Sequence, residues 1–292
     1  TGPWFIYGVS YAGGAVIEYA ARFPDDVAGV MSSSGVVDWR LANSPYDAFT
    51  RERLGEEAYA QLVGHMENLE PNELFDQNWL NREFLEGITS GFTQGAAYQS
   101  LVGGFQNLLA RDTTELISSL RDLDEVASGG QGAAYAEDRA LRTLSRDEAL
   151  ERKPSWRVWF WQQCTETGVF FASPDSGGAW QRNEDDWRDE CRALFGVELA
   201  EPASEREFLT QLEREDVPMV FLSGGNDGWL PLGPAPPLEN DPLDRQEPWG
   251  VYETGFGLHF HVPEGFHGPD GSDPELAQAA FAALLELAAK VE

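Results

Sequence analysis

Three residues set far apart in this 292-residue chain, Ser10, Asp227 and His267, have the side chains needed to hydrolyse an acyl bond together. A serine hydroxyl is a weak nucleophile at neutral pH until a base removes its proton and a carboxylate orients that base. Ser10 stands in Gly8-Val9-Ser10-Tyr11-Ala12-Gly13. Small residues two before and two after it suit a sharp turn that lifts the hydroxyl clear and aims the next backbone N–H, that of Tyr11, at an oxyanion. A phosphate-cradling loop is the other use of such a turn, but no Gly-Lys-Ser/Thr follows.

Of the four histidines, His65, His259, His261 and His267, the last lies in a loop, Pro263-Glu264-Gly265-Phe266-His267-Gly268. His267 is the expected base and His261 its main competitor. Asp227, in Gly224-Gly225-Asn226-Asp227-Gly228-Trp229, is the expected acid, with Asp38 as runner-up.

The elements around these residues fit those roles. Pro3 to Val9 is an apolar run read as a fully buried strand. A helix from Ala12 to Phe23 follows, with Val16, Tyr19, Ala20 and Phe23 at helical spacing and Pro24 as its stop. Val27 to Ser32 reads as a second buried strand, ending in three consecutive serines. From about Trp39 to Phe195 the chain turns to helical segments, including Glu56 to Met66, Thr113 to Ala127, Ser145 to Arg152 with a capping box, and a helix capped by Asn183 that carries Trp187, Cys191 and Leu194. A capping box at Ser204 and Glu207 starts another helix, then Val217 to Leu222 reads as a strand. A proline-rich loop from Leu230 to Pro248 leads to an alternating strand, Leu258 to Val262, and to a helix with Asp273 as N-cap and Leu276, Phe281, Leu284 and Leu287 inward.

Strands alternating with helices predict an α/β fold with a mostly parallel sheet. The order Ser, Asp, His, with Asp and His after strands, is that of an α/β-hydrolase. Residues 1–38 and 200–292 are expected to form its core, and residues 39–199 an inserted helical cap domain. Four strands are visible.

Fifty acidic residues against twenty basic ones give a net charge of −30, spread along the chain, which disfavours binding to nucleic acid and to anionic membranes. Two cysteines, Cys164 and Cys191, are too few for a tetrahedral cysteine metal site. They are free and buried, or they form one disulfide. The proposed chemistry needs no metal or other cofactor.

Four stretches together, Ser10-Tyr11 in its glycine-rich turn, Gln163-Cys164-Thr165-Glu166, Asn226-Asp227-Gly228-Trp229 and Glu264-Gly265-Phe266-His267, resemble signature regions of the prolylcarboxypeptidase family of serine peptidases. That family also includes post-proline dipeptidyl peptidases. The resemblance spans nearly the whole chain in order, with Ala12, Gly228 and Gly268 standing where the family has Gly, Pro and His. It implies a Cys164–Cys191 disulfide, a secreted, periplasmic or lysosome-like compartment, and cleavage after proline. It also implies further strands before the one that carries Ser10. The chain begins at Thr1, without Met, immediately before that strand, so an N-terminal companion segment or chain is expected to complete the sheet.

A proline ring stacks well on indole, which makes Trp229 the leading pocket candidate, with Trp161 behind it. Glu166 and Asp175 lie near the family signature, whereas the first cation there is Arg182. Carboxylates suit a peptide ammonium, so the expected activity is release of short amino-terminal peptides ending in proline. The alternatives are an esterase or lipase-like hydrolase on the same scaffold, and a non-catalytic binding protein.

Overall fold

The computed structural model describes residues 2–38, 44–71, 76–94, 102–128, 155–168, 178–180, 182–201, 206–234, 244–246 and 249–291. The chain divides into two compact units, Thr1–Trp39 with Ser204–Glu292, and Arg40–Ala203.

The first unit is built on a six-stranded sheet: β1 (Trp4–Val9), β2 (Val27–Ser33), β3 (Met219–Gly224), β4 (Asp244–Gln246), β5 (Trp249–Thr254) and β6 (Gly257–Val262). Their order is β1-β2-β3-β6-β5-β4. β1, β2, β3 and β6 run parallel, and β5 and β4 are antiparallel additions at one side. Helix α1 (Tyr11–Arg22) returns the chain from β1 to β2, as a parallel pair requires. α9 (Arg206–Arg214) packs with α1 on one face, burying Ile17, Ala20, Val30, Leu209 and Phe221. α10 (Pro274–Val291) covers the other face with Leu276 and Leu284 against Met31, Val220 and Phe260. This is an α/β fold with a mostly parallel sheet covered by helices on both faces, its parallel strands ending in loops at one edge.

The second unit is helical: α2 (Ser44–Leu54), α3 (Glu56–Asn68), α4 (Gln77–Gln94), α5 (Val102–Leu109), α6 (Thr113–Ser128), α7 (Ser155–Gln162) and α8 (Glu184–Phe195). Asn183 caps α8 as expected, accepting from the N–H groups of Asp185 and Asp186, while Asp186 accepts from the Asn183 N–H. Trp187, Cys191 and Leu194 form its buried face. Cys164 and Cys191 are joined in a disulfide packed against Phe160 and Trp187.

Several expectations are corrected. β1 is an edge strand, with Trp4 64% and Tyr7 48% exposed, because only β2 pairs with it among the described residues. On α1 the buried positions are Gly13, Gly14, Ile17, Ala20 and Ala21, whereas Tyr19 and Phe23 stack on each other in the open. The proline-rich stretch is not all loop: β4 lies within it, and β5 follows, joined to β6 by a two-residue turn at Gly255-Phe256. Phe281 is exposed on α10, where it meets Phe5 edge to face. The Ser145 helix and the Ser204 cap lie outside the described residues.

Candidate active site

Ser10 sits between the end of β1 and the start of α1 with φ 59° and ψ −128°. A non-glycine residue rarely adopts this backbone, and holding it there costs about 1–3 kcal/mol, which the surrounding packing must supply. The Ser10 N–H donates to Ser33 O at 2.9 Å, and Gly13 N–H donates to Ser10 O at 2.8 Å, so both sides of the turn are tied. Gly8 is dictated by close approach: a Cβ there would lie 2.1 Å from Ala12 O. Tyr11 opens α1, so its N–H lies at the positive end of the helix, where an oxyanion is stabilised.

Asp227 follows β3 and is 1% exposed. Its Oδ1 accepts from Trp229 N–H at 3.0 Å, an Asx turn, and its Oδ2 accepts from His267 Nδ1 at 2.8 Å. The carboxylate therefore holds the proton on Nδ1 and leaves Nε2 as the basic nitrogen. The loops of acid and base are stitched together: Asn226 N–H donates to Gly265 O and Gly225 N–H to Val262 O, both at 2.8 Å. They approach so closely that a Cβ on Gly224 would lie 2.4 Å from Gly265 carbonyl atoms.

The three consecutive serines at the end of β2 bind these parts to one another, a role that the sequence reading did not assign. Ser32 Oγ donates to Gly13 O at 3.0 Å, Ser33 Oγ donates to Asp270, and Ser34 Oγ accepts from Gly268 N–H at 2.9 Å. Gly268 packs near Val9, so the residue after His267 adjoins the residue before Ser10. Ser10 Oγ and His267 Nε2 make no hydrogen bond to each other among the described residues.

The rival groups are committed elsewhere. His261 Nδ1 and His259 Nε2 both meet Ser223 Oγ, at 2.9 and 2.6 Å, inside the β3–β6 pair. Burial, with His261 close by, lowers the His259 pKa to about 3, and burial lowers that of His261. His65 is buried on Thr113 and Leu109. Asp38 backbone N–H bonds Leu232 O, and it is Asp227, not Asp38, that meets His267.

Trp229 lines a small cavity with Asp227, Phe221, Leu230 and Pro234, with room for about one water molecule. Glu166 and Trp161 belong to the second unit and are both exposed, Glu166 in a turn of π-helix, Gln163–Thr167. Asp175 lies outside the described residues. Arg182 is buried in that unit, on Glu83, Glu86 and Glu190, with Trp187 and Trp79 rings 4.3 and 5.5 Å away.

No family model matches the chain. It is 24% identical over 252 residues to the probable serine protease EDA2 of Arabidopsis thaliana, a match covering 78% of this chain and 50% of that protein. The chain thus spans about half the length of the curated relative it matches. Among solved structures, proline iminopeptidase of Mycobacterium smegmatis aligns with 99% of this chain and 67% of its own, at 11% identity and a TM-score of 0.34. Kex1(delta)p, a prohormone-processing carboxypeptidase of Saccharomyces cerevisiae, aligns with 95% of this chain and 60% of its own, at 12% identity and a TM-score of 0.30.

Proposed function

We propose that the chain is the catalytic part of a serine peptidase that cleaves after proline and releases short amino-terminal peptides. The observation that carries the peptidase reading is the strained Ser10 backbone at a strand-to-helix turn, in the same unit as a buried Asp227 bonded to His267. Similarity to a protein named as a serine protease supports it.

In this mechanism His267 Nε2 takes the Ser10 proton as Oγ attacks the scissile carbonyl. Tyr11 N–H stabilises the oxyanion. His267 then protonates the departing amine, and water releases the acyl group by the same route in reverse. Asp227 holds the imidazole and stabilises its charged form.

Proline specificity rests on the resemblance carried by Gln163-Cys164-Thr165-Glu166 and its companion motifs. Trp229 and Trp161 are the proposed ring-binding surfaces, and Glu166 and Asp175 the proposed partners of the peptide ammonium. Arg182 is committed to buried carboxylates, which disfavours its use for a peptide carboxylate.

The open edge of β1, with exposed Trp4, Phe5 and Tyr7, is proposed to receive a further strand from a companion segment or chain. The disulfide favours an oxidising compartment such as a secreted, periplasmic or lysosome-like one. No helix among the described residues is long and apolar enough to cross a membrane.

A substrate panel tests the reading. We expect a free-amino dipeptide or tripeptide amide ending in proline to be cleaved about tenfold or more faster than its alanine counterpart, and acetylation of its amine to slow cleavage. Turnover of a simple aryl ester with no cleavage of any amide would instead favour the esterase.

A further inference from the structure

The histidine loop carries a second buried carboxylate that the mechanism above leaves unused. Asp270 lies three residues beyond His267, at the start of a 3-10 turn, and is 8% exposed. Each of its oxygens takes a hydroxyl donor from a different strand: Oδ2 from Tyr7 on β1 and Oδ1 from Ser33 on β2. Tyr7 is half exposed, yet partial burial, with the Asp270 carboxylate beside it, raises its phenol pKa above the ordinary range, so the phenol remains a donor.

The two donors are placed where they matter. Tyr7 is three residues before Ser10 on the strand that ends at the nucleophile. Ser33 is the register partner of Val9, and its backbone carbonyl accepts the Ser10 N–H. One residue, Ser33, thus holds the nucleophile by its main chain and the histidine loop by its side chain. Asp227 fixes the plane and tautomer of His267, but nothing in that bond sets how far the imidazole stands from β1. Asp270 connects the loop to β1 and β2 directly.

We infer that Asp270, through Tyr7 and Ser33, is a positioning residue that sets the distance between His267 and Ser10. The inference rests on the Ser10, Asp227 and His267 reading. Because the Asp227–His267 bond does not pass through it, its loss should slow the chemical step and leave both affinity and the titration of the base in place. A misplacement of about 1 Å costs on the order of a hundredfold in rate.

The test uses a fluorophosphonate on the full-length protein, with maximum inactivation rate, half-saturating concentration and pH profile measured for wild type, Asp270→Ala, Asp270→Asn, Tyr7→Phe and Ser33→Ala. The expected result is a maximum rate about a hundredfold lower in Asp270→Ala and several-fold lower in each hydroxyl deletion. Asp270→Asn, which keeps one acceptor, should recover part of the loss. Half-saturation and the acid limb of the pH profile should stay at wild-type values. If Asp270→Ala fails to fold, the two hydroxyl deletions decide. Wild-type rates in folded Tyr7→Phe, Ser33→Ala and Asp270→Asn would overturn the positioning role, as would a change in half-saturation alone. A wild-type protein unlabelled at Ser10 would remove the triad on which the role depends, a failure visible before any variant is made.

Discussion

The two units bury polar groups in different ways. In the α/β unit the buried polar side chains are mostly short and lie near the carboxyl ends of strands: Ser32, Ser33, Ser34, Ser223, Asn226, Asp227 and Asp270. They bind one loop to another, and the product is a fixed arrangement around Ser10. In the helical unit long ionisable side chains are buried: Arg82, Arg182, Glu83, Glu86 and Glu190, with Arg182 over the rings of Trp79 and Trp187. Burial first, and the neighbouring Arg82 second, pull the Arg182 pKa down to about 10 against the opposing pull of Glu190 and Asp186, so burial of this cation is only partly offset by its carboxylates. The difference teaches that a buried polar network at strand ends can serve geometry, whereas a buried ion cluster among helices serves the core of its own unit.

Breaking that cluster should have the larger effect on stability. Arg182→Ala removes the cation that Glu83, Glu86 and Glu190 face, and we expect it to destabilise the helical unit by about 3–5 kcal/mol. Denaturant unfolding followed by tryptophan fluorescence would measure it. A change below about 1 kcal/mol would show that the cluster is dispensable and erase the contrast.

Acid should affect the α/β unit through its histidines. His259 is held neutral in the fold, with a pKa lowered to about 3 by burial first and by His261 second, against about 6.5 in the unfolded chain. Below pH ~6.5 the unfolded chain therefore binds the extra proton, so this contribution to stability is complete above that pH and is lost as pH falls toward 3. Between pH ~7 and pH ~4.5 the loss should be about 2–3 kcal/mol, and His259→Gln should flatten that part of the profile. An unchanged profile in the variant would show that another group governs acid sensitivity.

The positions of the proposed triad were legible in the sequence because each part has a local signature. A glycine-flanked serine between an apolar run and a helix specifies its own turn, and acid and base each follow a strand. What escaped was one local hairpin and the long-range pairings. The hairpin of β5 and β6 escaped because Trp249 to Thr254 directly follows a proline-rich stretch, although Thr254-Gly255-Phe256-Gly257 carries a turn signal. Exposure of β1 escaped because an apolar run looks the same at the edge of a sheet as at its centre. The tasks of Ser32, Ser33 and Ser34 depend on partners as far off as Gly268 and Asp270, which no periodicity can reveal.

The central claim is that Ser10 is a nucleophile activated by His267. The direct measurement is mass-spectrometric mapping of fluorophosphonate labelling in the full-length protein. We expect the label on Ser10 in wild type and in His261→Ala, and none in Ser10→Ala or His267→Ala beyond a residue of about one part in a thousand or less. Labelling that persists in His267→Ala but disappears in His261→Ala, or that falls on a serine other than Ser10, would contradict the account.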